Sequence, residues 1–204
     1  MSYRVLMGDR RILFAFLCGL IVATVEYTPE AIFDLRMTDY SVSKELEGAI
    51  FSVEAFSFVA GSLVIGLVLP RWVPHRVTLI SALVLFAVAV GLIGPFHSER
   101  GLASMVVGLG LMGFLMAFLS VLLMPEMIQA CRAAHPHCNH DYAYSLISGI
   151  YNAAFGVGQA LGAFLGGVMY QLFGFRSTMN ICATLIIGFT LSYFYFADGE
   201  KVFK

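Results

Sequence analysis

Ser145 to Tyr170 reads SLISGIYNAAFGVGQALGAFLGGVMY, an apolar run without one charged side chain. A helix needs about 20 such residues to cross the hydrocarbon of a bilayer, so this stretch makes the chain a membrane protein. Within it Ala154, Gly158, Gly162 and Gly166 recur at every fourth position. That spacing lays small side chains along one helix face, where another helix can approach closely. The run therefore predicts a spanning helix that packs through Gly158, Gly162 and Gly166.

Five more windows qualify by the same test: residues 12–34, 46–69, 77–94, 102–129 and 177–197. With 145–170 they predict an all-α integral membrane protein of six transmembrane helices, one domain over 1–204. Composition agrees, with 59% hydrophobic and 12% charged residues and a mean hydropathy of +0.85. Soluble domains carry about 25% charged residues. Arg4, Arg10 and Arg11 precede the first window in the manner of a secretory leader. That window is too long for one and ends in acids and Pro29, so it reads as a true first span. A net charge of -1 gives no reason to expect nucleic acid as a partner.

Orientation follows from Lys and Arg in the connections. Arg4, Arg10, Arg11, Arg71, Arg76, Arg132, Lys201 and Lys204 fall on one side, and Arg36, Lys44, Arg100 and Arg176 on the other, eight of the 12 against four. Both termini are expected in the cytoplasm, with residues 131–143 as a polar cytoplasmic loop. That loop holds Cys131, His135, His137, Cys138 and His140, whose spacing matches no standard zinc pattern. We read it as solvated and expect neither metal nor cofactor. Cys18 and Cys182 lie inside spans, where a free thiol acts as a small hydrophobe.

Apart from Asp34 and Glu47 at their ends, the windows hold the acids Glu26, Glu30, Glu54 and Glu126 and no lysine or arginine. A carboxylate at bilayer depth costs roughly 3 kcal/mol even on lenient insertion scales, so such acids usually face a cavity. Negative charge without compensation implies a bound proton or a bound cation. Pro29 removes one helix hydrogen bond and predicts a hinge between Glu26 and Glu30. Glu26, Glu30 and Asp34 follow one another at four-residue steps, within about 80° of one another around the helix. At about 1.5 Å per residue, Glu26 and Glu54 share a layer some 5 Å outward of their helix centres. Gln159 falls near the midplane, Asn152 further toward the cytoplasm, and Glu126 near the cytoplasmic end behind Pro125. These residues form the expected proton and substrate path, while Asp34 beside Arg36 reads as a surface pair.

The run from Tyr144 to Thr178 resembles the eleventh helix of major facilitator superfamily transporters, with its glycine ridge, Gly166-Gly167 and a closing Gly174-Phe175 turn. EYTPEAIF (26–33), LIGPF (92–96) and MPEMIQAC (124–131) resemble the seventh, ninth and tenth helices of the vesicular amine branch, its polyamine transporters most of all. The resemblance covers almost the whole chain. It implies the C-terminal six-helix half of such a transporter, two inverted three-helix repeats. It also implies proton-coupled antiport of organic cations such as polyamines or monoamines by alternating access, in a vesicular, organellar or plasma membrane. Monoamine members carry an aspartate where this chain has Asn152. The acid before the seventh-helix proline falls here on Thr28, with Glu26 two residues earlier and Glu30 directly after the proline.

These transporters have two halves, so the expected partners are the bilayer, protons, an organic cation and a second six-helix half, as a separate chain or a second copy. A truncated product and a repurposed, non-transporting assembly subunit are the alternatives. An enzyme is not expected, because no nucleophile triad, metal-ligand pair or phosphate loop is present.

Overall fold

Asp9 sets the start of the first long helix. Its side chain accepts from the backbone N–H groups of Arg11 at 2.8 Å and Ile12 at 3.3 Å, capping donors that the helix leaves open. In the computed structural model, residues 3–68, 75–94, 101–135 and 140–196 are described, and among them every element is helical. They are α1 (Tyr3–Met7), α2 (Arg10–Asp39), α3 (Lys44–Val68), α4 (His75–Ile93), α5 (Gly101–Ala134) and α6 (His140–Phe196). α2 continues through Pro29 and α5 through Pro125.

Among the described residues four helices are long and apolar enough to cross a membrane, and the apolar stretch Val77–Ile93 of α4 is shorter. α6 has 57 residues, which as a straight rod would reach some 85 Å, far beyond a bilayer. It breaks at Gly174, whose φ of 73° and ψ of 169° belong to a region open almost only to glycine. A leading arm, 140–173, and a trailing arm, 175–196, result. Contacts fix how the segments alternate. Arg36, near the end of α2, lies over the Phe175 ring at 5.3 Å, which brings the Gly174 break to that end of the bundle. At the other end Phe14 of α2 meets Tyr193 of the trailing arm, with ring centroids 6.4 Å apart.

α2 packs chiefly on α6, α3 on α5, and α4 on both α5 and α6. The α2–α6 contact is a backbone approach. A Cβ on Gly158, Gly162 or Gly166 would collide with the carbonyl oxygens of Leu20, Thr24 and Thr28 in turn, so three glycines of the leading arm step along α2 in register. Thr28 Oγ1 donates to Thr24 O at 2.8 Å and also reaches Gly162 O at 3.4 Å. On α5, Gly113 abuts Glu54 O and Ala117 abuts Gly61, so the small residues of α5 seat α3. Outward faces carry large apolar side chains such as Phe56 and Leu67 of α3 and Phe164 of α6, as lipid contact requires.

The helices outrun their hydropathy windows. α5 continues to Ala134 and α6 begins at His140, so most of the expected loop 131–143 is helical. Hydropathy reports where side chains turn polar, and the backbone ladder continues past that point. Of the cysteines and histidines of that loop, His137 and Cys138 lie outside the described residues. Among the described residues no three His, Cys, Asp or Glu gather as metal ligands, and Cys18, Cys131 and Cys182 are buried.

Candidate functional site

Between α2, α3, α5 and the leading arm of α6 lies a cavity of about 570 Å³. It exists because α2 and α3 hold to different partners, α6 and α5 respectively, and diverge. Phe33 and Phe51, with ring centroids 5.4 Å apart, bridge them near one end. Glu26, Tyr27 and Glu30 line the cavity from α2, and Phe51, Glu54 and Phe58 from α3. Gly113, Met116 and Ser120 line it from α5, and Tyr151, Phe155 and Gln159 from α6. No lysine, arginine or histidine is among the lining residues.

Glu54 is 7% exposed. Gly113 makes room for it, because a Cβ there would lie 3.0 Å from Glu54 Cγ. One carboxyl oxygen, Oε2, is buried without a hydrogen-bond partner. A buried carboxyl oxygen in that state has room to take a proton, a water or a cationic guest from the space beside it. Aromatic rings surround the acids. Tyr151 and Phe155 stack with centroids 4.7 Å apart, and the Tyr151 hydroxyl donates to Ser120 O at 3.1 Å, which fixes the ring. Carboxylates for charge and ring faces for an onium centre are the components of an organic-cation pocket.

The structure thus brings Glu26, Glu30, Glu54 and Gln159 together and leaves two anticipated members outside. Asn152 is exposed on the leading arm and is not a lining residue, because it stands one helix position, about 100°, from Tyr151. Glu126 corrects the expectation of uncompensated acids. Only 3% exposed, it accepts from Arg11 Nη2 at 3.2 Å, joining the start of α2 to α5. Arg11 precedes the first hydropathy window by one residue, which hid the pair. The expected Asp34–Arg36 pair is corrected too. Asp34 binds Lys44, while Arg36 donates to Asp39 at 3.1 Å and to the Tyr40 hydroxyl at 2.8 Å. Pro29 is buried inside α2, between the two acids it was expected to hinge.

Sequence reasoning missed the aromatic wall. Tyr151, Phe155 and Gln159 share a four-residue spacing, three positions behind the glycine ridge, and so occupy the adjoining face. That pattern was available.

A search of curated proteins gives no significant match. A family model described as Major Facilitator Superfamily matches residues 15–202, which takes in every cavity-lining residue. The chain is a member of the major facilitator superfamily, a family of membrane transporters.

Proposed function

We infer that the chain is a six-span transporter half that moves organic cations, polyamines or monoamines, in exchange for protons. The carrying observation is the acid cavity. Three carboxyl groups converge with five aromatic rings and no basic side chain, and one carboxyl oxygen is buried without a partner. Desolvation penalises an ionised carboxylate, so a site of this kind exchanges a proton for a cation more readily than it stands empty and charged. Glu54 and Glu26 exchange the proton, Glu30 adds attraction, and Gln159 contributes a neutral hydrogen-bonding group at the rim.

Six spans are supported by the Gly174 break, which divides the 57-residue α6, and by the apolar Val77–Ile93. With the Lys and Arg distribution, both termini lie in the cytoplasm. The superfamily match supports transport, and the resemblance of 26–33 and 124–131 to the vesicular amine branch supports the choice of solute.

Uptake of labelled spermidine, serotonin and tetraethylammonium into proteoliposomes, with and without a proton gradient, tests the reading. Glu26→Gln and Glu54→Gln keep shape and remove charge, so each should leave the protein inserted and abolish gradient-driven uptake. Parental uptake in both variants and in the double variant would make the acids structural and bring forward a non-transporting assembly subunit.

A further inference from the structure

Where α2 passes into α3, the chain already holds an alkylammonium group between the two helices that diverge around the cavity. Lys44, the first residue of α3, donates from Nζ to Asp34 Oδ1 of α2 and, at 2.9 Å, to Glu47 Oε2 of α3.

The two acids continue the lining of the cavity outward. On α2, Asp34, Glu30 and Glu26 follow one another at four-residue steps, about 6 Å apart along one side of the helix. On α3, Glu47, Phe51, Glu54 and Phe58 follow at steps of four, three and four, which also keeps to one face. Glu26, Glu30, Phe51, Glu54 and Phe58 line the cavity. Asp34 and Glu47 are therefore the next pair of carboxylates beyond it. The rings of Phe33 and Phe51, 5.4 Å apart, stand between that pair and Glu54, whose Oε2 is buried without a partner.

The Lys44 ammonium is held loosely. Its side chain is 71% exposed and that of Asp34 67%, and ion pairs so exposed are worth little. Another donor can take its place at small cost. The Glu47 side chain is only 15% exposed and stays to receive it.

We propose that Asp34 and Glu47 form an outer binding site for an organic cation that carries N–H donors, an alkylammonium or a guanidinium, and that Lys44 is a tethered stand-in which such a cation displaces. Lys44 then sets specificity. A primary ammonium or a guanidinium replaces its hydrogen bonds donor for donor, whereas a quaternary ammonium brings charge without a donor. Inward of the site the faces of Phe33 and Phe51 offer the next contact to a cation, and Glu30 and Glu54 the one after. Binding at the outer site requires only the geometry around Lys44. Passage inward rests on the reading of the cavity as a transport site.

The test is the reactivity of Lys44 in the full chain. Purified protein is treated with an amine-acylating reagent, and acylation of Lys44 is measured against that of Lys201 by peptide mass spectrometry. Butylguanidinium carries donors and is not itself acylated, and tetraethylammonium carries charge alone. Butylguanidinium should raise the Lys44 rate saturably, by up to about fivefold, the limit for an exposed ion pair. Tetraethylammonium at the same ionic strength should not. With Asp34→Asn and Glu47→Gln combined, Lys44 should react at the raised rate with nothing added. Acceleration by neither cation overturns the site, as does equal acceleration by both, which is ionic screening. In proteoliposomes Lys44→Met should lower the preference for spermidine over tetraethylammonium by about two- to fivefold. An unchanged preference overturns the specificity role. Displacement of Lys44 with no uptake by any variant leaves the outer site standing and removes the transport reading. Uptake with Lys44 unresponsive does the reverse.

Discussion

Gly162→Ala adds one methyl group in the middle of the glycine ridge of the α2–α6 contact. The new Cβ would lie inside contact distance of Thr24 O and 3.0 Å from Tyr27 Cβ, where ordinary contact begins at 3.4 Å. Thr24 O is backbone and Tyr27 Cβ is fixed to it, so neither rotates away and α2 must retreat by roughly half an ångström to an ångström, the scale of shift seen in overpacked cores. That retreat loosens Gly158 and Gly166 against Leu20 and Thr28 and breaks the 3.4 Å contact from Thr28 Oγ1 to Gly162 O. Overpacking costs about 1–3 kcal/mol, and the interhelical hydrogen bond about 0.6 kcal/mol more. The helix propensity of alanine returns up to about 1 kcal/mol, for a net loss of about 1–2 kcal/mol. Gly188→Ala isolates the propensity gain, because a Cβ there meets nothing within 4 Å. Heating purified protein in detergent and measuring the monodisperse fraction should rank Gly188→Ala at or above the parent, Gly162→Ala below it, and Gly162→Leu as unfolded. A Gly162→Ala variant as stable as Gly188→Ala would mean that the ridge does not hold α2.

Arg11→Ala strands a buried carboxyl and should cost about 1–3 kcal/mol, less than a fully buried pair because Arg11 is part-exposed; adding Glu126→Gln should restore part of it, measured by detergent unfolding. Gly174→Ala should lower stability by about 1–3 kcal/mol, since the φ of 73° and ψ of 169° suit glycine alone. Lys44→Ala removes pairs with Asp34 and Glu47 in which the ammonium group is exposed, and should leave the unfolding temperature unchanged. Tyr151→Leu removes both the ring stacked on Phe155 and the bond to Ser120 O, so it should weaken uptake of a quaternary ammonium probe more than it weakens folding.

Hydropathy read the positions of the long helices because lipid imposes the same demand on every span. The ridge was legible for a similar reason, since four-residue spacing survives translation into any helix. Partners were not legible. Glu126 and Arg11 are 115 positions apart, and no local pattern states that the start of α2 meets the end of α5. Asp34 lies two positions from Arg36 yet binds Lys44 across the turn, because residues two apart on a helix point to different faces. Asn152 shows the limit of depth reckoning, which gives height in the bundle and says nothing about rotation about the helix axis. Its neighbour Tyr151 faces the cavity instead.

Glu54 and Glu126 make the distinction that the sequence could not. Both are glutamates in apolar windows and both are buried, at 7% and 3% exposure. For Glu126 the fold supplies a guanidinium at 3.2 Å, and the carboxylate becomes a strut between two helices. For Glu54 the fold supplies a glycine in place of a side chain and an adjoining space of about 570 Å³ with no basic residue in its lining. A buried acid with its counter-charge built in has nothing left to exchange, whereas one without it must take its proton or cation from outside. On the proposed function, the same residue type carries structure at one end of the bundle and exchange in the cavity. Replacing each glutamate by glutamine should separate the two, with Glu126→Gln read out in stability and Glu54→Gln in uptake.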